Sequence, residues 1–350
     1  DLYRVETVII GDGITTIGAG SFENCSNLKK VTIPASVTSI GERAFFCCSR
    51  LSGVAIPGDN ITVGKDAFYG CGSLTSVMFS GRVSSIGEEA FSSCGGLTSI
   101  AFSGSVAAIG DRAFSSCGLT GVTIPGDNVT VGEQAFYSCG SLTGVRFSGA
   151  AVKIGNEAFR SCGKLTRLEL QKGAASIGES AFSFCEDLIG IAIQGDVGTI
   201  GDSAFSFCED LTSVAIQGNV GIIEASAFYY CRALTSVAFS GGIAAIGETA
   251  FDMCQRLAKV TIGGDVGSIG ESAFFRCEDL AAVDISGKVD SIGKSAFTNL
   301  NNLTDFRVGG TLGSIGYGAF AGCEGLTAFP VVEGGMTGPI GESAFAYCGG

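Results

Sequence analysis

The chain has no histidine and no tryptophan, and only 5 of its 350 residues are proline. Because imidazole is absent, catalysis by histidine and metal sites that need a histidine ligand are excluded. Charged residues are scarce, at 16%, and mainly acidic, which gives a formal net charge of −13. Phosphate backbones and anionic lipids repel such a chain, so the composition argues against a nucleic-acid partner. No apolar run approaches the roughly 20 residues of a membrane span, so none is expected.

Apolar residues and glycine are abundant, since 46% of the chain is hydrophobic and 55 residues are glycine. This composition argues against intrinsic disorder and predicts a core. One phenylalanine recurs about every 23 residues, and such a short fixed spacing predicts a stacked solenoid rather than a globule. The phenylalanine column consists of Phe22, Phe45, Phe68, Phe91, Phe114, Phe136, Phe159, Phe182, Phe205, Phe228, Phe251, Phe274, Phe297, Phe320 and Phe345.

The residues around each phenylalanine follow the frame I-G-x-x-A-F-x-x-C-x-x-L-x-x-V-x-I. The position before the glycine is Ile or Val in every copy, whereas the glycine is replaced once, by Glu224, and the alanine once, by Ser21. After the leucine, apolar residues alternate with small ones, which predicts a short strand that pairs in parallel with its neighbours. The A-F-x-x-C-x-x-L segment has apolar residues three apart and predicts one tight helical or 3₁₀ turn.

Two copies of the repeat differ in length. Cys117-Gly118-Leu119 lacks one residue between the cysteine and leucine positions, and two extra residues precede Ile340. We expect both changes to lie in turns, where insertions and deletions disturb a fold least.

The repeated frame resembles the leucine-rich repeat family and, within it, the BspA-like class found on surface proteins of bacteria and protozoa. The strings that carry the resemblance are Ser39-Ile40-Gly41-Glu42-Arg43-Ala44-Phe45 and the segment from Cys48 to Pro57, and similar strings cover almost the whole chain. The resemblance implies a right-handed solenoid of about fifteen 23-residue coils, with a parallel sheet on the concave face and short turns and loops opposite. It also implies a protein that binds other proteins, often in adhesion, and has no catalytic or cofactor-binding residues.

Residues 1–350 are expected to form a single solenoid domain. No capping segment is recognisable, because the strand-like stretch from Val5 to Ile10 lies close to the first residue and the chain stops just after Cys348. Uncapped ends expose apolar groups that favour association. We therefore expect either a fragment of a longer chain or a protein whose ends are covered by neighbouring molecules.

Fourteen of the 15 cysteines stand three residues after the repeated phenylalanine, and only Cys47 lies elsewhere. One interpretation is a ladder of disulfides or metal-bound thiolates, and the other is a column of small apolar core residues. Leu300 occupies the cysteine position in one copy, which a packing site tolerates and a ligand site does not. Cysteines of one column are also a full coil apart, which suits neither a C-x-x-C metal site nor a disulfide. The sequence therefore favours core packing and predicts no metal.

Acidic residues recur in two columns. Aspartate follows a glycine at Asp59, Asp127, Asp196 and Asp265, once in every three coils, which is too widely spaced for a calcium site. These aspartates are expected in turns, which favour Asp and Gly. The acids next to the repeated glycine predict a solvated edge rather than a cation site, and they include Glu42, Glu88, Asp111, Glu133, Glu179, Asp202, Glu248 and Glu271.

The outward positions of the strands are where a solenoid usually binds its partners. Most are Thr, Ser, Ala or Gly, and larger side chains interrupt this plain surface at a few places. Arg146, Arg167 and Glu169 lie on consecutive coils and are predicted neighbours, which makes them the first candidate for a partner-binding patch. Alternatively, they are ordinary surface charges. The remaining candidates are Met78, Asp284, Asp305 and Arg307.

The sequence thus predicts a non-enzymatic cell-surface or secreted protein that binds a protein or glycan, on a host surface or in its matrix, through the sheet face. Two alternatives stay open. A structural protein that self-assembles end to end fits the uncapped ends. An ice-binding surface fits the threonine that follows the leucine in nine of fourteen copies.

Overall fold

The computed structural model describes residues 4–349. The chain divides into two compact units, which we call unit 1 (Asp1–Gln171) and unit 2 (Lys172–Gly350). Both consist of parallel-strand solenoid turns of about 23 residues, about fourteen in all, and the described residues contain no α-helix. The solenoid fold predicted from the repeat is therefore confirmed. The turn segment around Phe345 has no strand after it.

The strands of the described residues are β1 (Thr7–Ile9), β2 (Thr16–Ile17), β3 (Lys30–Thr32), β4 (Ser39–Ile40), β5 (Gly53–Ile56), β6 (Ile61–Val63), β7 (Ser76–Phe79), β8 (Val83–Ile86), β9 (Ser99–Phe102), β10 (Ala108–Ile109), β11 (Gly121–Ile124), β12 (Thr130–Val131), β13 (Gly144–Ile154), β14 (Arg167–Ile177), β15 (Gly190–Ile193), β16 (Val197–Ile200), β17 (Ser213–Ile216), β18 (Val220–Ile223), β19 (Ser236–Phe239), β20 (Ile243–Ile246), β21 (Lys259–Ile262), β22 (Val266–Ile269), β23 (Ala282–Ile285), β24 (Val289–Ile292), β25 (Asp305–Val308), β26 (Leu312–Ile315) and β27 (Val331–Val332).

Most turns contribute two strands, and equivalent strands of successive turns pair in parallel. We call the strands that follow the leucine position the first row and those that end just before the repeated glycine the second row. In the first row Val77 pairs with Ile100, and in the second row Ile200 pairs with Ile223, each one repeat along the chain. The long strands β13 and β14 run through both rows. Alternate side chains of each strand point inward, so the remaining positions of the first row form an outward face.

The phenylalanine column forms the centre of each core. Successive rings stack with centroids 4.9 to 5.2 Å apart from Phe22 to Phe159. From Phe182 to Phe345 the centroids are 5.0 to 5.3 Å apart. Stacked aromatic pairs contribute about 0.5 to 1.5 kcal/mol beyond the burial of their area. Because each ring packs against the rings before and after it, the core of a coil is completed by its neighbours.

Between the glycine and leucine positions, the structure has a run of turns instead of the predicted helical or 3₁₀ turn. Some N–H groups bond within the coil, as Ala44 N–H does to Gly41 O at 3.2 Å. The backbone N–H groups of the alternate residues bond to the next coil, as Arg43 N–H does to Lys65 O at 2.9 Å. Arg43 and Cys47 accordingly have positive φ, at 54° and 55°, which a 3₁₀ helix does not allow. A non-glycine residue in this region costs about 1 to 3 kcal/mol, and the bonds to the next coil offset that cost.

The repeated glycine is required by the close approach of neighbouring coils. A Cβ added at Gly87 would lie 2.7 Å from both the carbonyl carbon of Gly64 and the backbone nitrogen of Lys65, well inside the separation of non-bonded atoms. At the exceptional Glu224, the carboxylate accepts a hydrogen bond from Asp202 N–H at 3.0 Å. The same clash would arise at Gly41, Gly64, Gly110, Gly155, Gly201, Gly247, Gly270, Gly293 and Gly316.

Replacing Gly87 with alanine is expected to lower the free energy of unfolding by about 1 to 3 kcal/mol, because the added Cβ must push two backbones apart. Gly72 is the matched control, since a Cβ there would meet no atom within 4 Å. Gly72→Ala should change the free energy by less than about 0.5 kcal/mol. Urea unfolding followed by circular dichroism measures both. Equal effects of the two substitutions would contradict the packing role of the glycine column.

Candidate binding face

Three of the predicted site residues lie together on the outward face of unit 1. Arg146 is on β13, and Arg167 and Glu169 are on β14. One carboxylate oxygen of Glu169 lies 3.5 Å from Arg146 Nε, and the other lies 3.5 Å from Arg167 Nη1. The side chains of the two arginines are 50% and 75% exposed. The group therefore carries a net positive charge on an acidic chain and faces solvent.

A cleft of about 530 Å³ adjoins this charged group. Arg146, Arg167 and Glu169 line one side of it, and the small residues Gly121 and Gly144 leave space beside them. The volume lies within the range of about 300 to 1,000 Å³ that is usual for ligand sites. We call it the β9–β11 cleft, and its complete lining is Ile100, Ala101, Phe102, Gly121, Val122, Thr123, Gly144, Val145, Arg146, Arg167 and Glu169.

The β9–β11 cleft lies where the first row of strands is interrupted. The strands β5, β7 and β9 form one sheet and β11 pairs with β13, but among the described strands β9 and β11 form no ladder although they are adjacent. The coil is one residue short between Cys117 and Leu119. In addition, Pro125 has no N–H to donate at the position where Ser103, one coil earlier, donates to Phe79 O at 2.9 Å.

A proline alone does not explain the interruption. Pro34 removes the same donor after β3, and β3 still pairs with β1. A second gap in the first row lies between β3 and β5, and β5 is also followed by a proline, Pro57. Between β9 and β11, a coil that is one residue short coincides with Pro125. The gap between β3 and β5 lies in a coil of full length, so a shortened coil is not required for every gap in the first row.

The interruption exposes part of the core in the floor of the cleft. Phe102 is partly exposed. Phe79 and Phe147, which occupy the same position on β7 and β13, are completely buried at 0%. Ile100, also in the floor, keeps 7% of its surface exposed, compared with 1% for its register partner Val77. The cleft thus combines an apolar floor with a cationic side.

Three further predicted residues form a second group on the outward face of unit 2. Asp284 and Arg307 are register partners on β23 and β25, and Arg307 Nε lies 2.8 Å from Asp305 Oδ1. The hydrogen bond to Asp305 raises the pKa of the Arg307 guanidinium, and the charges of Asp284 and Glu333 act in the same direction. A depression of about 310 Å³ adjoins the group. With three carboxylates around one guanidinium, this group is net negative.

The remaining predicted residue, Met78, stands apart from these groups. It lies on β7 in register with Ala55 and Ala101, and 48% of its surface is exposed. A single exposed apolar residue is common on soluble proteins, so Met78 marks no site by itself.

The cysteine column belongs to the core. All 15 cysteines are free thiols, and all are buried except Cys47 and Cys348, which are partly exposed. The thiol of Cys139 donates to Phe114 O in the preceding coil at 3.1 Å, and the pattern repeats along the column. Burial raises the pKa of Cys139 to about 12. Within residues 4–349 no group of three or more Cys, Asp or Glu could hold a metal ion. These contacts give the column a packing role.

Two polar columns also bond along the stack. Asp127 lies in a turn, as the sequence predicts, and its Oδ1 accepts the N–H of Ala150 in the next coil at 2.7 Å. The threonine after the leucine donates through its hydroxyl to the preceding coil, as from Thr143 Oγ1 to Thr120 O at 2.8 Å. Both columns therefore contribute to the contact between coils.

A column of large side chains that the repeat frame does not indicate lies on the turn side of unit 2. The position before the cysteine holds Phe184, Phe207 and Tyr230, all partly exposed and all with positive φ. Phe184 and Phe207 stack at 4.7 Å, and Phe207 and Tyr230 lie 5.0 Å apart. The guanidinium of Arg232 lies 3.9 Å from the ring centre of Tyr230. Serine fills this position in several coils, so comparing the columns would have revealed the difference.

The fold and its outward face define a parallel-strand repeat protein, a scaffold of the kind that binds other proteins. The chain belongs to the family described as the BspA type leucine rich repeat region, whose family model matches residues 2–120, 107–235 and 221–350.

Solved structures of similar proteins include two from bacteria. A leucine-rich repeat protein from Bacteroides ovatus is 27% identical, with a TM-score of 0.50, and the match covers 91% of this chain and 85% of that one. A leucine rich cell surface protein from Faecalibacterium prausnitzii is 30% identical, with a TM-score of 0.43, and the match covers 81% of this chain and 79% of that one. No curated protein matches the chain. No helix in residues 4–349 is long and apolar enough to cross a membrane.

The buried cysteines are expected to resist thiol reagents. In the native protein at about pH 8, a disulfide reagent should modify Cys47 and Cys348 within minutes, because reaction requires an accessible thiolate. In denaturing guanidinium chloride all 15 cysteines should react. The release of the reagent's chromophore counts the thiols in both states. Fast reaction of most cysteines in the native protein would contradict the packing role of the column.

Raised thiol pKa values predict that the protein loses stability in alkali. The folded state keeps the Cys139 proton up to a pKa of about 12, whereas an unperturbed thiol loses it near 9.0. The folded state therefore binds more protons between these values, so the free energy of unfolding must fall as the pH rises from 9.0 to about 12. Urea midpoints across this range measure the slope. Cys139→Ala should reduce the slope, and an unchanged slope would contradict the assignment.

Proposed function

We propose that this chain is a non-enzymatic cell-surface or secreted protein that binds protein or glycan partners, in adhesion, through the outward face of the first row. The observation that carries the proposal is that the inward and the outward positions of each coil have different roles. Inward side chains pack between coils, and the turn segment and the polar columns form hydrogen bonds from coil to coil. The outward positions of the first row instead hold two charged groups, each beside a depression.

Family and chemistry support the same proposal. The Faecalibacterium relative, at 30% identity, is described as a cell surface protein. A repeat solenoid offers a long, regular surface of this kind to large partners. The carboxylates of Glu169 and Asp305 form ion pairs with Arg146 and Arg307, at 3.5 and 2.8 Å. Such exposed ion pairs are typical of protein surfaces, whereas a carboxylate that transfers protons is placed to contact a substrate.

Blocking the outward face is expected to weaken binding. Beads coated with the chain should bind host cells and immobilised matrix proteins in a saturable way. The double variant Ser76→Arg and Ser213→Arg, with both changes at outward first-row positions, should lower this binding about tenfold or more, because bulky side chains keep a partner away from a flat face.

The matched control carries the same substitutions elsewhere. Ser49 and Ser73 are exposed in the turn segment, so Ser49→Arg with Ser73→Arg adds the same charge and should leave binding unchanged. Equal losses in both double variants, or no saturable binding by the unmodified chain, would overturn the proposal. A mass that rises with concentration in light scattering would favour the self-assembling alternative instead.

A further inference from the structure

We propose that the β9–β11 cleft receives an acidic peptide segment of a protein partner, with the carboxylate bound by Arg146 and Arg167 and a neighbouring apolar side chain resting on Phe102. The proposal rests on the proposed function and names the chemistry of one site on the binding face. It joins two features that arise separately, a charged group on β13 and β14 and a gap between β9 and β11.

The guanidinium groups of Arg146 and Arg167 have N–H donors that Glu169 does not use. Glu169 touches each arginine through a single oxygen at 3.5 Å. In comparison, Arg82 is held by Asp59 through Nη2 at 2.7 Å and through Nε at 3.1 Å. A guanidinium carries five N–H donors in a planar fork that matches a carboxylate. Arg146 and Arg167 therefore have open positions for a second carboxylate, whereas Arg82 already binds one carboxylate through two of its nitrogens.

The net charge of Arg146, Arg167 and Glu169 determines which charge the ligand must carry. Two arginines and one glutamate leave a charge of +1, on a chain whose formal net charge is −13. Glu169 lies between the guanidiniums and offsets their mutual repulsion, which makes it a positioning residue for the pair. A local positive site on an acidic protein selects anionic groups at short range, because solvent ions screen the rest of the chain beyond about 10 Å.

The floor of the cleft favours a peptide over a sugar. In the described part of the first row, Ile100 and Phe102 form no ladder with β11, and the cleft opens at this edge, where an extended peptide can lie along a strand. Phe102 and Val122 provide an apolar surface for a side chain next to the acid. Thr123 is the one uncharged polar side chain in the lining, whereas a sugar needs hydrogen bonds to many hydroxyls.

The experiment selects ligands with the whole chain and then removes the arginines. A phage-displayed library of random peptides is selected on the unmodified protein, and the enriched peptides are synthesised for calorimetric titration. Enriched peptides should carry Asp or Glu beside an aliphatic or aromatic residue. The double variant Arg146→Ser and Arg167→Ser should bind them about tenfold more weakly or worse, as expected for loss of hydrogen bonds to a charged group.

Two controls separate this site from the rest of the face. Lys259→Ser removes a cation from β21, at the outward position equivalent to that of Arg167 on β14, and should leave binding unchanged. Replacing the acid of each enriched peptide by its amide should weaken binding to the unmodified protein as much as the double variant does. Circular dichroism and a urea midpoint establish that the variants are folded.

The possible failures are distinguishable. Enriched peptides without an acid, or peptides that bind the double variant as tightly as the unmodified protein, would overturn the acidic-peptide site while leaving the proposed binding function standing. Arginine-dependent binding to sialylated or uronate-containing glycans on an array, without peptide binding, would assign the cleft to a glycan and overturn the peptide. Failure of the unmodified chain to bind any peptide or glycan would count against the proposed function as well.

Discussion

The close packing of the backbones of consecutive coils is the interaction on which the rest of this structure depends. A coil of about 23 residues is too small to bury its own core, so each ring of the phenylalanine column packs against the next at about 5 Å. Backbone N–H groups of the turn segment bond to the neighbouring coil, as Phe45 N–H does to Ala67 O at 2.7 Å. Glycine predominates in its column because a Cβ at Gly87 and most equivalent positions would collide with the backbone of the neighbouring coil.

The same constraint explains where function resides. A side chain that points inward or into the contact between coils is restricted to apolar or small residues, as in the cysteine and phenylalanine columns. The outward positions of the first row are free of this requirement, and they carry Arg146 and Arg167 in unit 1 and Asp284 and Arg307 in unit 2. The β9–β11 cleft arises where the contact itself is weakened, next to the shortened coil and Pro125. A local defect in the repeat thus creates a distinct site on an otherwise uniform surface.

Much of this architecture could be predicted from the sequence, because the repeat displays each structural requirement many times within one chain. Spacing predicted the parallel strands, and the substitution of Leu300 for cysteine predicted that the column packs. The predicted helical or 3₁₀ turn was wrong, since apolar residues three apart fit several kinds of turn. Only the positions of the neighbouring coil's carbonyl groups decide that Arg43 and Cys47 adopt positive φ.

By itself, the sequence determined the solenoid, the register of one repeat per turn and the identity of the core columns, because these depend on a periodicity that any reader of the chain can count. The same periodicity predicted which outward residues meet. Arg146 and Glu169 are 23 positions apart and touch because their coils stack. Only the tertiary structure revealed the cleft beside them, which lies where β9 and β11 form no ladder in the described part of the chain. Strand pairing depends on hydrogen bonds between two coils, so the residue pattern within one coil cannot predict it.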